Sequence, residues 1–267
     1  MNKKLLAGAS VGVFALAGLL LILYGAFGGS TVFAIDGTSC GELPSHTDLQ
    51  VALTSAQMEA NGGFGFDMWG TIVNRDGVVC EVAHTGGDRG DQWPGSRVIS
   101  AQKANTANAF SLPGLALSTA NLFSATQPGG FLFGLQFSNP VDTGVAYAGP
   151  SGDYGTENDP MGGNKIGGVN VFGGGLALYD GDGDLLGAIG VSGDSSCADH
   201  NIAWKTRHIL NLDNIPGGVS GTGDDNIVND IKGKKGDFES KSGWGHPACS
   251  DAATSIASNL PTTHPIP

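Results

Sequence analysis

Two stretches of this chain read as antiparallel hairpins, and they constrain the fold more than any other feature of the sequence. Phe66 to Val73 and Val78 to Ala83 are β-rich runs separated by Asn74-Arg75-Asp76-Gly77, and an Asp-Gly turn between such runs is a strong short-range hairpin signal. Leu176 to Tyr179 and Leu185 to Val191 repeat the arrangement across Asp180-Gly181-Asp182-Gly183-Asp184. Helical patterns lie between and after them. Ser45 to Asp48 supply cap residues ahead of Leu49, Leu53, Ala56 and Ala60, until Gly62-Gly63 stops the period. A second helix starts at Ser96, with Ile99, Lys103, Thr106 and Phe110 on one stripe, and a short one starts at Ser118. A last helix runs from about Ser196 to Leu210. With further apolar strands at Phe131 to Phe137 and Val169 to Phe172, the reading is α+β: a central antiparallel sheet of about five strands flanked by helices, not a doubly wound parallel sheet.

Glycine punctuates the remainder, 45 of 267 residues against a usual share of roughly 7%. From Ser138 to Gly168 no period is sustained, and an irregular stretch of that length inside a compact domain tends to be functional or to cover an interface. After Leu210 the chain reads as an extended tail to Pro267. The start has a different character. Asn2 to Lys4 is basic, Leu5 to Phe27 carries no charge, and Val32-Phe33-Ala34 has the small-large-small pattern of a signal-peptidase site. Cleavage after Ala34 is expected. The competing reading is an uncleaved anchor, since 23 uncharged residues are long enough to span a bilayer. Both readings place the folded part outside the cytoplasm, secreted, periplasmic or at the cell surface. Residues 35–267 then form a single domain with an insertion near 138–168.

An exported chain with an even number of cysteines is expected to pair them. Cys40, Cys80, Cys197 and Cys249 allow three connectivities. Cys40 with Cys80 and Cys197 with Cys249 is favoured, because these pairs tether the start of the mature chain and the tail to the body of the domain. No CxxC pair is present, which argues against a zinc site.

The charge balance excludes some partners. Asp and Glu outnumber Lys and Arg 25 to 13, for a net charge of −12, and no basic stripe is available to neutralise phosphates. Nucleic acid is not an expected partner, and a membrane only through the N-terminal anchor if it is uncleaved. Asp180, Asp182 and Asp184 mimic the first three ligands of a calcium loop, but Val191 stands where the twelfth-position Glu belongs, so a hairpin turn is the better reading. Cys197 and His200, three apart at a helix start, resemble a nucleophilic pair less than a disulfide beside a histidine. In the last helix Ile202, Thr206, Ile209 and Leu210 form one face while His200, Trp204, Arg207 and His208 form another. Something covers that second face: the tail, a second subunit, or a planar aromatic ligand held by imidazole and guanidinium. Asp91-Gln92-Trp93-Pro94-Gly95-Ser96-Arg97 places Arg97 at a helix start, which suits either an anion or an internal ion pair with a nearby aspartate.

Val73 to Gly77, Ser96-Arg97 with Ala101-Gln102-Lys103-Ala104-Asn105-Thr106-Ala107, and Gly187-Ala188-Ile189-Gly190-Val191-Ser192-Gly193, in this order, resemble the GlcG/HbpS-like haem-binding family over roughly Leu49 to Leu210. The resemblance implies a central antiparallel sheet flanked by helices and assembly into a homo-oligomer, and it names haem as the cofactor. It also implies a role for Thr126, because a threonine is implicated in haem binding in an extracellular member and Ala125-Thr126-Gln127-Pro128-Gly129-Gly130 is similar to that segment. Two functions of different class follow. One is an exported haem-binding protein, haem-degrading or iron- and haem-sensing, with haem contacted by some of Thr126, His200, His208 and Arg97. The other is a structural or interaction protein that uses the scaffold for assembly without a cofactor. A ligand site requires His200 or His208 to face a cleft, whereas assembly alone buries both.

Overall fold

The structure, a computed structural model, describes residues 39–231 and 239–267; the expected leader and its cleavage after Ala34 lie outside them. Four antiparallel strands, β1 (Trp69–Asn74), β2 (Val79–His84), β3 (Gly175–Tyr179) and β4 (Leu185–Ser192), form one sheet in the order β2-β1-β4-β3. Both hairpin turns are built as their sequences dictate. Gly77 adopts φ +74°, and the Asn74 side chain accepts from the amides of Asp76 and Val78. In the second turn the Asp180 carboxylate accepts from the amides of Asp182 and Asp184, so that carboxylate serves the turn.

Side chains alternate cleanly across β1. Met68 and Ile72 face one layer, with Leu176, Leu178, Ile189 and Val191 of the neighbouring strands. That layer is covered by α1 (His46–Gln57) and α3 (Ser196–Ile209), through Leu49, Leu53, Ile202 and Trp204. Among the cap residues offered by Ser45 to Asp48 it is Ser45 that caps α1, in a capping box with Asp48, and Ser195 caps α3. Trp69, Val73 and Ala188 face the opposite layer, where α2 (Ser96–Phe110) presents Val98, Ala101, Ala104 and Ala107. The buried stripe of α2 is therefore centred on its alanines, while Ile99 and Phe110 lie at the margins. Small residues let α2 lie almost on the backbone of β4: a Cβ on Gly190 would stand 1.9 Å from the Ser100 carbonyl oxygen, and one on Gly193 2.4 Å from that of Asp67. The spacing of glycines in Gly187 to Gly193 is thus a packing requirement.

The insertion covers what α2 leaves open. Ala146, Met161 and Ile166 pack on Trp69, Val73 and Val79. Along the outer edge of β2, the Val79 amide donates to the Asn164 carbonyl at 2.8 Å and the Gly163 amide to the Val79 carbonyl at 2.9 Å. At the other end of the sheet the Tyr179 amide of β3 donates to the Leu212 carbonyl at 2.9 Å.

Three expectations are corrected. Phe131 to Phe137 is no strand: Gly134 at φ +94° turns the chain into a single helical turn at Leu135–Ser138, and Phe131, Phe133 and Phe137 stand exposed. Val169 to Phe172 joins no ladder either, because Gly173-Gly174, with Gly174 at φ +116°, redirects the chain just before β3. The sheet accordingly has four strands rather than about five. The tail is not wholly extended, since α4 (Asp251–Thr263) packs Ala253, Ala257 and Leu260 inward behind a Ser250 cap. Disulfides join Cys40 to Cys80 and Cys197 to Cys249, the latter tying the start of α3 to the approach to α4. No helix among the described residues is long and apolar enough to cross a membrane.

Candidate functional site

The four residues singled out in the sequence occupy three separate places. Arg97, in the first turn of α2, lies on the opposite face of the sheet from His200 and His208 of α3. Its Nε donates to Asp159 Oδ2 at 2.8 Å, its Nη2 to the other carboxylate oxygen, and its Nη1 to the Ala146 carbonyl at 2.7 Å. The Tyr154 ring stacks 3.7 Å from the guanidinium. Of the two readings open for Arg97, the structure holds the internal ion pair, but its carboxylate comes from the insertion and not from neighbouring Asp88 or Asp91. Sequence proximity gave no means of finding it.

His200 is fully buried, with Nε2 at 3.2 Å from Asn226 Oδ1 and 3.1 Å from the Ile227 amide. Burial pushes its pKa down to about 4, against the opposing pull of Asp225, so the ring is neutral at pH 7. Arg207 forms a bidentate buried pair with Asp225 at 2.7 and 2.8 Å, and Trp204 Nε1 donates to the His264 carbonyl at 3.0 Å. The second face of α3 is thus covered by the C-terminal segment. His208, about one-third exposed, pairs with Asp213 at 2.7 Å. Thr126 is buried and its hydroxyl donates to the Phe123 carbonyl at 2.9 Å. Its neighbours Ser124, Gln127 and Phe131, rather than Thr126 itself, line a cleft of about 450 Å³.

A third buried pair links the layers. Lys103 Nζ reaches from α2 to Asp199 Oδ2 of α3 at 2.7 Å and to the Val191 carbonyl at 2.9 Å. Burial raises the Asp199 pKa to about 6 and lowers that of Lys103, each opposed by the other's charge. Both side chains are nearly inaccessible, so the pair braces the fold.

Arg97 lies in the wall of the larger cleft, about 530 Å³, at the start of α2. That volume falls within the roughly 300–1,000 Å³ of small-molecule sites. Its walls are Trp69 of β1, Pro94 and Val98 beside α2, and Tyr147 and Tyr154 of the insertion, with Arg89 at 44% exposure near the mouth. The Trp69 indole N–H is buried and has no hydrogen-bond partner among the described residues, a costly arrangement unless something accepts from it. Tyr147 stands 60% exposed. The arrangement offers flat apolar walls, one buried donor, a phenol and a cation paired only at 3.9 Å with Asp88, which suits a planar molecule carrying acidic groups. Sequence reasoning missed Trp69, Tyr147 and Tyr154. The only signal was the aromatic content of an otherwise irregular insertion.

No curated protein matches the chain. Solved structures similar to it include Klebsiella pneumoniae protein ORFY, at 22% identity and a TM-score of 0.43, covering 61% of this chain and 86% of its own, and the complex of PduOC with heme, at 26% identity and a TM-score of 0.43, covering 63% and 96%. The sequence profile of the family described as haem-degrading protein HbpS-like matches residues 45–207, from the first residue of the α1 cap into the last turn of α3, and the chain belongs to that HbpS-like family.

Proposed function

We propose that this protein binds haem outside the cytoplasm, in the cleft between Trp69 and the insertion. The observation that carries the reading is membership of a family described as haem-degrading across the whole sheet and its three packing helices. The cleft supports it in chemical detail. Tyr147 and Tyr154 would offer aromatic surface to a macrocycle over the buried Trp69 and Val98, Arg89 would offer a cation to its carboxylates, and the exposed Tyr147 phenol would offer an oxygen to its iron. Bound haem would supply a redox-active iron. The chain's part is to hold it, exclude water from one face and orient its acidic edge. His200 is fully buried, with Nε2 held against Asn226 and Ile227, and contributes to stability instead. Two disulfides and an uncharged run behind a basic start support the extracytoplasmic placement.

Haemin titrated into the purified protein tests this. The expected result is a saturable, shifted Soret band at one haem per chain, altered in position by Tyr147→Phe and weakened by Arg89→Ala, with His208→Ala leaving it unchanged. Repeating the titration aerobically with ascorbate reads degradation as progressive loss of the band. Only the broad absorption of free haemin would overturn the proposal.

A second reading, assembly without a cofactor, is favoured by one observation: His200 and Trp204 are both buried, between the sheet and the tail, which meets them through Asn226, Ile227 and His264. The exposed Phe131, Phe133 and Phe137, at 72%, 60% and 84%, would then be contact residues between copies. Sedimentation of the haem-free protein shows an oligomer in that case, while haemin leaves no saturable band.

A further inference from the structure

The corner where α3 meets the approach to α4 gathers more than a disulfide. Cys197 is the second residue of α3, Cys249 immediately precedes the Ser250 cap of α4, and His246 lies three residues before Cys249. One ligand atom from each of the three lies within 4.8 Å of the other two. His246 is buried, and its Nδ1 stands 2.8 Å from the Pro247 carbonyl. That contact requires the proton on Nδ1 and leaves Nε2 as an acceptor, which takes the Ser196 hydroxyl at 3.2 Å, a bond that a metal ion would replace. A ring fixed through one nitrogen by a carbonyl, with its other nitrogen unprotonated and two sulfurs close by, is the outer-shell arrangement of metal-binding histidines. The Cys197 amide, at the open start of α3, donates to Cys249 Sγ at 3.2 Å, and the Ser196 hydroxyl lies 3.6 Å from the same sulfur. Both are suited to support a thiolate there.

We infer that reduction of Cys197–Cys249 converts this corner into a site for zinc(II), held by two thiolates and His246 Nε2, with a water or the Ser196 hydroxyl in the fourth position. The reductant is a dithiol. Its thiolate attacks the exposed Cys249 sulfur, the S–S bond breaks and Cys197 leaves as a thiolate; the second thiol then releases Cys249 and closes the reductant to a cyclic disulfide. Two electrons pass to the protein. Zinc then takes the place of the two thiol protons, which go to solvent. Bonds of about 2.3 Å to sulfur and 2.0 Å to nitrogen place tetrahedral ligands roughly 3.3–3.8 Å apart, so the two sulfurs, bonded to each other in the disulfide, must move apart once it is reduced while the imidazole is already within 4.8 Å of both. Cys249 can make the adjustment because it is exposed and outside any helix. In either redox state the corner fastens α4 to α3, by a covalent bond or by a cation.

Cobalt(II) and zinc(II) titrations of the haem-free full chain, oxidised and after reduction with a phosphine, test the inference independently of haem binding. The expected result is one cobalt per reduced chain with a thiolate-to-cobalt charge-transfer band, displaced by zinc. The oxidised protein gives no band. Reduced Cys197→Ser/Cys249→Ser, which retains Cys40 and Cys80, binds at least a hundredfold more weakly, and His246→Gln at least tenfold more weakly. Zinc raises the thermal midpoint of the reduced wild type, or refolds it if reduction has unfolded it. Absence of the band in the reduced wild type, equal affinity in the double variant, or a midpoint or fold that zinc leaves unchanged would each overturn the inference.

Discussion

Acidification unfolds this protein partly through His200, and the size of the effect follows from its burial. The imidazole ordinarily titrates near 6.5, and inside the fold it is held down to about 4. Between those values the unfolded chain takes up a proton that the folded chain refuses. The contribution of His200 to stability is therefore complete above pH 6.5 and is lost as pH falls toward 4. At 1.36 kcal/mol per pH unit, going from pH 7 to about pH 5 removes roughly 2 kcal/mol. Asp224 and Asp225 face the ring and favour its charged form, Arg207 disfavours it, and burial outweighs all three. Other groups move over the same range: His246, lowered to about 4, adds to the loss, and Asp199, raised to about 6, opposes it. Comparison with His200→Gln separates them, because those groups are common to both proteins. Urea denaturation at the two pH values should show the wild type losing roughly 2 kcal/mol more than the variant. Equal losses would refute the assignment of a buried, neutral His200.

Arg207→Met leaves the Asp225 carboxylate buried without its partner and should cost roughly 3–5 kcal/mol in urea denaturation, most of it recovered by adding Asp225→Leu. Gly190→Ala drives a methyl into the Ser100 carbonyl and should lower the unfolding free energy by about 1–3 kcal/mol, without loss of the disulfides by mass spectrometry. Ser250→Ala removes the cap of α4, whose hydroxyl accepts from the Ala253 amide at 3.0 Å, and should cost about 1 kcal/mol.

Local physics was legible in the sequence wherever a short pattern decided the outcome. The Asp-Gly turns, the cap residues of Ser45 to Asp48 and the glycines of β4 each act within a few residues, and so they announced the antiparallel sheet and most of its helices. Phe131 to Phe137 deceived because apolar content suggests a strand, whereas a strand also needs an edge to pair with. The α4 helix was overlooked although Ser250 and the Ala253, Ala257, Leu260 stripe carry a cap and a period. The candidate cleft was less legible still. Arg97 and Asp159 lie 62 residues apart, and no periodicity links them; Tyr147 and Tyr154 reach Trp69 only because the insertion folds back across the sheet. The corner of Cys197, His246 and Cys249 was not legible either, because Cys197 lies 52 residues before Cys249 and the absence of a CxxC pair argued against a metal.

The hydrogen bonds that Gly163, Asn164 and Leu212 make with the outermost strands have a consequence for how copies of this chain meet. With Val79 on one border and Tyr179 on the other already engaged, neither border offers those backbone groups to an incoming strand, and extension of the sheet is opposed at these two positions. The same loops that complete the domain thereby also guard the ends of its sheet, a second duty for the segments around Gly163 and Leu212.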